Sequence, residues 1–497
     1  MDQQSSEISP KYKVCIIGAG FGGIAMAIRL KQQGIDNFVI LEKTDDIGGT
    51  WRENQYPGAA CDVQSHMYSL SFAPKTDWTQ RYAGAEEIFD YLQDISTKFQ
   101  IKKYCRFQHE VAGLHYQDKS CDWRIQLKDR ADIISQYVIF ASGPLHVPQI
   151  PHIQGIENFK GKVFHSAQWD HEYPLQNKKV ASIGTGGSAI QYIPKIAPEV
   201  KQLYVFQRRA AWVLPRDERR YLNVEKNLFH HFDWFRKLHR NRLYWSNELR
   251  FIPMTNSKVM HYLQKLAQGF IHLQVKDKAL AKKLTPDYII GCKRILISNS
   301  YFPTFNRTNV ELVTDGIREI KANSIVTQNG VEREIDCLIY GTGFITDPRV
   351  YLKPFRCIGL NGIELKTQWK NGAESYYGMN TKNFPNLFQL LGPNTLLAHN
   401  SVVFIIESQV NHILKLIQAV EAANADAVVV RADVHDQFNQ DLQKQLKNSV
   451  WQSGCVSWYQ NDLGKNFALW PDYTWRYWHK IKDVRLQDYH LLHQSAV

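Results

Sequence analysis

Two glycine-rich segments of this chain are each followed, 24 residues after the first glycine, by a charged residue that could contact an adenosine ribose. Gly18 begins the first segment and Glu42 follows it, whereas Gly184 begins the second and Arg208 follows it. In a dinucleotide-binding unit the residue at this distance lies where the second strand ends, beside the ribose. A carboxylate accepts hydrogen bonds from a free ribose, and a guanidinium binds a 2′-phosphate. The two spacings therefore predict FAD at the first site and NADPH at the second.

The first segment contains the parts of a dinucleotide site in the required order. An apolar strand leads into Gly18, Gly20 and Gly23, and a helix over 24–33 precedes an apolar strand over 38–41. Gly18 permits a tight turn, Gly20 lets backbone N–H groups reach the pyrophosphate, and Gly23 allows the helix to pack on the strand. A glycine-rich turn without a ligand is the alternative, and it leaves the ordered strand, helix and acid unexplained.

The second segment repeats this arrangement with some different residues. Gly184 and Gly186 keep their places, Ser188 precedes the helix, and Ala189 replaces the third glycine. The motif tolerates alanine at that position. We therefore expect Gly184, Gly186 and Ser188 to contact the pyrophosphate of NADPH.

Two adjacent guanidiniums, Arg208 and Arg209, follow the second strand of this unit, over 203–206. Each guanidinium offers a planar fork of donors, so the pair suits a phosphate dianion. A solvated basic turn is the alternative, and the position of the two residues within the unit favours phosphate binding.

Length and charge limit the remaining classes. A chain of 497 residues is long enough for two or three domains. The formal net charge of +12 could suggest nucleic acid, but the basic residues are spread out and no nucleic-acid motif accompanies them. We interpret the charge as attraction for anionic cofactors, with weak contact to an anionic membrane surface as an open alternative.

The eight cysteines include no C-x-x-C pair and no zinc-ligand spacing. We therefore expect reduced, mostly structural thiols and no metal site. The first thirteen residues are polar, and no apolar run approaches the ~18 residues that a membrane helix needs. These features predict a cytoplasmic protein without a transmembrane segment.

Two apolar strands that each enter a glycine turn, over 137–143 and 336–344, suggest that the chain leaves one nucleotide-binding domain, builds a second and returns. A proline-rich connector over 144–151 lies between them. We expect an α/β fold with two Rossmann-like dinucleotide-binding domains. The predicted ranges are 1–148 and 345–497 for the FAD-binding domain, 149–344 for the NADP-binding domain, and about 217–288 for a helical insertion within it.

The insertion is rich in basic and aromatic residues, and Phe229, Phe232, Trp234 and Phe235 have helical spacing in places. We expect these residues to form a local core and a wall of the substrate cleft, with a lipid-facing amphipathic helix as the alternative. Near the carboxy end, the pattern predicts an amphipathic helix over 401–423 and a strand over 427–430. Several aromatic residues there are expected to line core and cleft together: Trp451, Trp458, Tyr459, Trp470 and Trp475.

The connector is followed by a motif that narrows the class of flavoenzyme. Phe159, Gly161, His165, Trp169 and Asp170 match the pattern F-x-G-x-x-x-H-x-x-x-W-[P/D]. This motif resembles the fingerprint of type I Baeyer–Villiger monooxygenases, which are class B flavoprotein monooxygenases. Its ending favours them over relatives that oxygenate nitrogen or sulfur.

Further stretches look like the same family, namely 48–62, 292–294 and 384–395, so the resemblance covers nearly the whole chain. Ser142 and the insertion around 220–285 depart from the family pattern. These departures put the identity of the substrate in doubt and leave the class of chemistry unchanged.

The resemblance implies a reaction. NADPH reduces FAD, O2 adds to the flavin, and the resulting peroxide attacks a ketone carbonyl, which rearranges to an ester or lactone. A peroxide anion needs a fixed positive charge in a dry pocket. By resemblance Arg294 supplies that charge, because a guanidinium stays ionised at any working pH. Asp62 would orient Arg294; the alternative is an aspartate that only caps a turn. Lys293 would reach the 2′-phosphate; the alternative is an exposed lysine without a partner.

Other cofactor contacts also follow from the resemblance. His165 would act as a hydrogen-bonding hinge that couples rotation of the NADP-binding domain to closure of the site. Trp169 would pack against the cofactor or anchor the connector. The remaining residues that we expect to bind cofactor are Lys43, Gly49, Thr50, Trp51, Asp62 and Asn394.

Two other functions are compatible with these motifs. A flavin monooxygenase acting mainly on sulfides or amines would use the same peroxide in its protonated form. A flavin-binding sensor would bind both nucleotides without turnover. A disulfide reductase is disfavoured because the sequence offers no cysteine pair. The favoured partners are a small-molecule ketone and O2.

Overall fold

The computed structural model describes residues 10–254 and 257–494. Residues 1–9, which are most of the polar amino terminus noted above, lie outside the described residues. In chain order the strands are β1 (Lys11–Ile17), β2 (Phe38–Leu41), β3 (Cys105–Arg106), β4 (Val111–Gln117), β5 (Asp122–Leu127), β6 (Ile133–Phe140), β7 (Lys162–His165), β8 (Lys179–Ile183), β9 (Gln202–Phe206), β10 (Val213–Leu214), β11 (Leu296–Ile297), β12 (Val310–Val313), β13 (Ile317–Lys321), β14 (Ser324–Thr327), β15 (Glu332–Glu334), β16 (Cys337–Tyr340), β17 (Arg356–Ile358), β18 (Leu387–Gln389), β19 (Ala427–Val430) and β20 (Tyr489–Leu492).

The α-helices alternate with these strands in the nucleotide-binding units. In chain order they are α1 (Phe21–Gln32), α2 (Thr50–Glu53), α3 (Ala85–Lys98), α4 (Ala189–Ile196), α5 (Asn223–His231), α6 (Asp233–Leu249), α7 (Phe251–Met254), α8 (Ser257–Gln274), α9 (Lys278–Leu284), α10 (Tyr301–Thr304), α11 (Pro348–Tyr351), α12 (Leu365–Gln368), α13 (Val402–Ala422), α14 (Ala432–Lys447) and α15 (Thr474–Ile481).

The first sheet has eight strands. Its main path is β17-β4-β5-β6-β1-β2-β3, and β18 pairs with β6. The strands β6, β1, β2 and β3 are parallel, as a dinucleotide-binding unit requires, whereas β4 and β5 form an antiparallel arm. Because β17 and β18 follow the second sheet in the sequence, the chain returns to the first sheet after building the second.

The second sheet has five strands in the order β12-β9-β8-β16-β7, and all its neighbouring pairs are parallel. The fingerprint strand β8 lies at its centre, between β9 and β16. One mixed and one wholly parallel sheet, each with a glycine-rich turn after a parallel inner strand, confirm the predicted α/β class with two Rossmann-like units.

The insertion consists of the helices α5 to α9. Phe229 is 1% exposed and belongs to the core, as expected. The expectation of a local core is wrong for Phe232 and Trp234, which are 47% and 65% exposed. Their neighbours on α6 show why: the inward face of this helix is occupied by other side chains, including the buried Leu243 and Glu248.

The helix α13 crosses the core of the first unit. Ser401 caps it by accepting a hydrogen bond from the N–H of Val403 at 3.3 Å. The sequence predicted an amphipathic helix, but buried residues extend around most of α13 because it packs against both α1 and α15. The strand predicted over 427–430 is present as β19.

Among the described residues, no helix is both long and apolar enough to cross a membrane.

His412 on α13 generates a prediction about acid stability. It is 5% exposed, its Nδ1 lies 2.6 Å from the carbonyl oxygen of Ile481, and burial lowers its pKa from 6.5 to about 4. Between these pH values the unfolded chain binds the extra proton, so stability falls as the pH falls. We expect His412→Asn to reduce the loss of unfolding free energy between pH 7 and pH 5 by about 2 kcal/mol.

Denaturant titrations at the two pH values measure this loss. His231→Asn, at an exposed position on α5, is the matched control and should leave the loss unchanged. An equal pH dependence in wild type and His412→Asn would contradict the assignment.

Candidate active site

The loop between β1 and α1 has the shape of a pyrophosphate cradle. Gly18 has a φ of +104°, and a Cβ at this position would lie 2.7 Å from the carbonyl oxygen of Ala141. A Cβ on Gly23 would lie 2.0 Å from the oxygen of Gly18. Gly49 approaches the loop so closely that its Cβ would lie 3.0 Å from the Cα of Gly20. The backbone groups that bind phosphate are therefore unobstructed, and the loop fits FAD.

Glu42 follows β2 and is 7% exposed. Its Oε2 accepts a hydrogen bond from the N–H of Ala19 at 2.8 Å, and its Oε1 accepts one from the N–H of Thr44 at 3.0 Å. The carboxylate thus ties the end of the strand to the glycine loop, in the position where the ribose of a dinucleotide lies. Lys43 beside it is exposed.

Three other residues expected near FAD have local partners. Thr50 and Trp51 open α2, directly after the Gly48 turn, and the indole Nε1 of Trp51 donates to the hydroxyl of Tyr68 at 3.3 Å. The amide of Asn394 donates to the carbonyl of Leu469 at 3.1 Å, which fastens the carboxy-terminal loop. Its Oδ1 is buried and has no partner among the described residues, so it can still accept a hydrogen bond.

The second glycine loop repeats the first. Gly184 has a φ of +110°, and a Cβ there would lie 2.3 Å from the oxygen of Gly341. Gly186 faces open space, and Ser188 immediately precedes α4. The helix ends at Ile196, two residues after Pro194. This loop also presents free backbone N–H groups at a helix N-terminus, as the pyrophosphate of NADPH requires.

Arg208, Arg209 and Lys293 converge beside this second loop. Burial lowers the pKa of Lys293, and the positive charges of Arg209 and Arg208 lower it further. Across residues 10–254 and 257–494, none of the three makes an ion pair. Asp287 offsets this cluster only in part. Three cations held together without a paired acid form a site for an anion such as a 2′-phosphate.

Arg294, the residue after Lys293, contacts Asp62 of the first unit. Its Nη2 lies 2.5 Å and its Nε 3.2 Å from the same carboxylate oxygen, Oδ2. The two side chains are 38% and 29% exposed, so the pair lies in an open cleft. Each residue comes from a different nucleotide-binding unit, and the ion pair therefore joins the two units.

The charges of the pair support each other. The carboxylate of Asp62 raises the pKa of Arg294 above its ordinary value, so the guanidinium stays ionised. Burial alone would raise the pKa of Asp62, but attraction by Arg294 and then Arg216 outweighs this effect and lowers it. Arg216 also donates to the carbonyl of Cys61 at 3.4 Å.

Gln191 positions the loop that carries Asp62. The hydroxyl of Tyr56 donates to Oε1 of Gln191 at 2.9 Å, and Nε2 of Gln191 donates to the carbonyl of Ala60 at 3.0 Å. Burial raises the pKa of Tyr56 to about 12, so this hydroxyl keeps its proton. A Cβ on Gly58 would lie 3.0 Å from the backbone oxygen of Gln191. The loop is therefore docked on the fingerprint helix α4.

Three features of the site were not predicted from the sequence: Gln191, Arg216 and the position of Tyr459 near Arg294. Tyr459 is 1% exposed, its hydroxyl has no partner within the described part of the chain, and it lies near Arg294. Gln191 could have been noticed as a polar residue at the start of a fingerprint helix. Nothing local in the sequence indicates the other two.

The expectation that all eight cysteines are free thiols is wrong for Cys292 and Cys455, which form a disulfide. Their Cα atoms are 6.2 Å apart, although 163 residues separate them in sequence. A pairing over such a distance cannot be deduced from cysteine spacing, because only the fold brings the two segments together. The disulfide joins the segment of Arg294 to the loop of Tyr459.

His165 ends the edge strand β7 and is 1% exposed, so it lies within the second sheet and not in a free connector. Its Nδ1 accepts from the N–H of Ala167 at 3.1 Å, and burial lowers its pKa. Trp169 packs edge-on against Phe164, with ring centroids 5.1 Å apart, and against Tyr192 of α4 at 5.4 Å. Its surroundings anchor the connector to α4.

The carboxy-terminal aromatics divide into two groups. Trp451, Tyr459 and Trp470 are at most 3% exposed and Trp458 is partly buried, so these four contribute to the interior as expected. The expectation is wrong for Trp475, which is 38% exposed on α15 and stacks with the guanidinium of Arg476.

Comparison with known proteins identifies the class that this fold and site define. Residues 11–352 match the model of the flavin-binding monooxygenase-like family. A Baeyer–Villiger monooxygenase of Pseudomonas aeruginosa is 43% identical over 96% of this chain and 91% of its own length. One from Streptomyces coelicolor is 38% identical over 98% of this chain and 94% of its own length.

Solved structures agree with these relatives. A steroid monooxygenase bound to NADP superimposes with a TM-score of 0.88 and 26% identity, over 97% of this chain and 99% of that one. A cyclohexanone monooxygenase from Rhodococcus sp. Phi1 bound to NADP+ gives 0.88 and 26%, over 98% and 100%. The chain belongs to the flavin-binding monooxygenase-like family and is a monooxygenase of the Baeyer–Villiger type, with FAD and NADP(H) as cofactors.

The cation cluster predicts how the protein distinguishes its coenzymes. We expect Arg208→Ala with Arg209→Ala to raise the KM for NADPH about tenfold or more, since a hydrogen bond to a charged group contributes about 1.5 to 3 kcal/mol. The KM for NADH should stay nearly unchanged because NADH has no 2′-phosphate.

Steady-state oxidation of both coenzymes measures this difference. Arg318→Ala, at an exposed position on β13 of the same domain, is the control and should change neither constant. An equal penalty on NADPH and NADH would show that the arginines do not recognise the phosphate.

Proposed function

We propose that this monooxygenase inserts one oxygen atom of O2 next to the carbonyl of a ketone, giving an ester or lactone. The observation that carries the proposal is the Arg294–Asp62 ion pair, which holds a permanent positive charge in the cleft between the two nucleotide-binding units. When bound, FAD that NADPH has reduced supplies the activated oxygen. A nucleophilic attack on a carbonyl builds negative charge on oxygen, and a preorganised cation stabilises that charge.

The free nitrogen of Arg294 is the proposed contact with the reacting oxygen. Nε and Nη2 both donate to Asp62, whereas Nη1 makes no hydrogen bond among the described residues. Asp62 therefore fixes the plane of the guanidinium and leaves one edge for substrate. The raised pKa of Arg294 keeps that edge positive throughout the working pH range.

Asp62 also limits the electrostatic cost of the site. If Asp62 were absent, Arg294 would have no acidic partner among the described residues, and the nearby Arg216 would keep only Glu218, 3.0 Å from its Nη1. A cation left without its partner in a partly buried site is destabilising. We therefore assign Asp62 the role of orienting Arg294 and balancing its charge.

We propose that residues 1–148 and 345–497 together form the domain that binds FAD. Residues 149–344 form the domain that binds NADPH. The glycine loops, Glu42 and the cation cluster support this assignment.

The names of the solved relatives, which include a cyclohexanone and a steroid monooxygenase, support an apolar ketone as substrate. We also propose a cytoplasmic location: six of the eight cysteines are free thiols, which supports it, and the Cys292–Cys455 disulfide is the one feature that argues against it.

Replacement of Arg294 tests the proposal. Arg294→Ala should retain FAD and remain reducible by NADPH, because both glycine loops and the cation cluster are intact. Ester formation should fall about a hundredfold or more, and NADPH consumption should yield hydrogen peroxide instead. A panel of cyclic, linear and aryl ketones, with products identified by mass, gives the ratio of ester to peroxide.

Arg294→Lys is the matched variant, since it keeps the charge and loses the planar fork that Asp62 holds. Its ester yield should lie between those of wild type and Arg294→Ala. Undiminished ester formation by Arg294→Ala would contradict the role of the guanidinium, and the absence of any ester from the wild-type protein would contradict the proposed reaction.

A further inference from the structure

The outer face of α6 carries a continuous apolar stripe. Trp234, Leu238, Trp245 and Leu249 are 65%, 58%, 54% and 62% exposed. Their spacings of four, seven and four residues place them within about one sixth of the helix circumference. Isolated exposed apolar residues are common on protein surfaces, but two tryptophans and two leucines in one stripe mark an interaction site.

Other side chains of α6 fasten the helix to the first nucleotide-binding unit. Glu248 accepts hydrogen bonds from the N–H of Thr474 at 3.0 Å and from the amide of Asn400 at 2.7 Å. Closer to the start of the helix, the guanidinium of Arg240 donates to the carbonyl of Ser69 at 3.0 Å. Because these inward contacts fix the rotation of α6, the stripe cannot turn inward to become buried.

The helix α8 shows the same design. Tyr262, Leu266 and Leu273 are 63%, 53% and 88% exposed, and spacings of four and seven residues align them along one side. Ala267 and Ile271 are buried on the other side. The insertion therefore presents apolar side chains to solvent from two helices.

Basic residues border both stripes. Lys237 and Arg242 lie on either side of the α6 stripe, and Lys265 lies beside that of α8. Lys237 pairs with Asp233 at 2.7 Å, whereas Arg242 and Lys265 make no ion pair within the described residues. The whole insertion, 217–288, contains fourteen Lys and Arg against seven Asp and Glu, so it holds +7 of the net charge of +12.

We propose that the outer faces of α6 and α8 bind the surface of an anionic lipid bilayer. Tryptophan and leucine enter the boundary between head groups and acyl chains, while the bordering lysine and arginine side chains reach the lipid phosphates. The contact is peripheral. A second copy of this chain is a poorer partner, because a twofold interface would place the same basic residues against each other.

Sedimentation with lipid vesicles tests the proposal. The full-length protein should sediment with vesicles of phosphatidylcholine mixed with phosphatidylglycerol, and should not sediment with phosphatidylcholine alone. High salt should release it, because the basic residues are exposed. Trp234→Gln with Trp245→Gln should lower the fraction bound at least tenfold, and so should Arg242→Gln with Lys265→Gln.

Val331→Gln with Leu463→Gln is the matched control, since both residues are exposed apolar side chains outside the insertion, at 44% and 61%. It should bind vesicles as the wild type does. All variants should keep the wild-type unfolding temperature and NADPH oxidation in free solution, which separates loss of membrane binding from failure of the fold or of the proposed reaction.

Three results would overturn the proposal. The first is wild-type protein that does not sediment with anionic vesicles. The second is unchanged binding by the tryptophan variant. The third is a wild-type protein that is a dimer in analytical ultracentrifugation and binds no vesicles, together with a tryptophan variant that is a monomer. The stripe would then be an interface between two copies.

Discussion

The ion pair between Asp62 and Arg294 is the interaction on which the cleft depends, because it joins the two Rossmann-like units. Its two hydrogen bonds end on one carboxylate oxygen, so the guanidinium is held in one plane, and Nη1 is the nitrogen that we propose contacts the reacting oxygen. Each side of the pair has its own support. Gln191 docks the loop of Asp62 on α4, and the Cys292–Cys455 disulfide joins the segment of Arg294 to the carboxy-terminal loop.

The two glycine loops share the same steric requirement for a glycine at their first position. In both, the first glycine has a positive φ, and a Cβ on it would collide with a carbonyl oxygen of the neighbouring strand's turn, that of Ala141 or Gly341. What differs is the charge after the second strand. Glu42 is tied to its own loop by hydrogen bonds, whereas Arg208 and Arg209 stand beside Lys293 without a paired acid. In the function that we propose, side chains alone let the shared fold distinguish a free ribose from a phosphorylated one.

The sequence could predict whatever is encoded locally or repeated at a fixed spacing. Strand, glycine turn and helix follow one another within each unit, so both Rossmann-like units could be recognised, and the family motif around Arg294 pointed to its chemistry. Contacts between distant segments could not be predicted. How separate elements pack determines three features: the pairing of Cys292 with Cys455, the docking of Gln191 and the exposure of Trp234. Residue spacing does not indicate that packing.

A double-mutant cycle on ester formation tests most directly whether Asp62 acts through Arg294. The rates of wild type, Asp62→Ala, Arg294→Ala and the double variant are measured on one ketone with FAD bound in every case. If Asp62 serves to orient the guanidinium, the double variant should be no slower than Arg294→Ala alone. If the two losses simply multiply, the residues act independently, and the central role given to the ion pair is wrong.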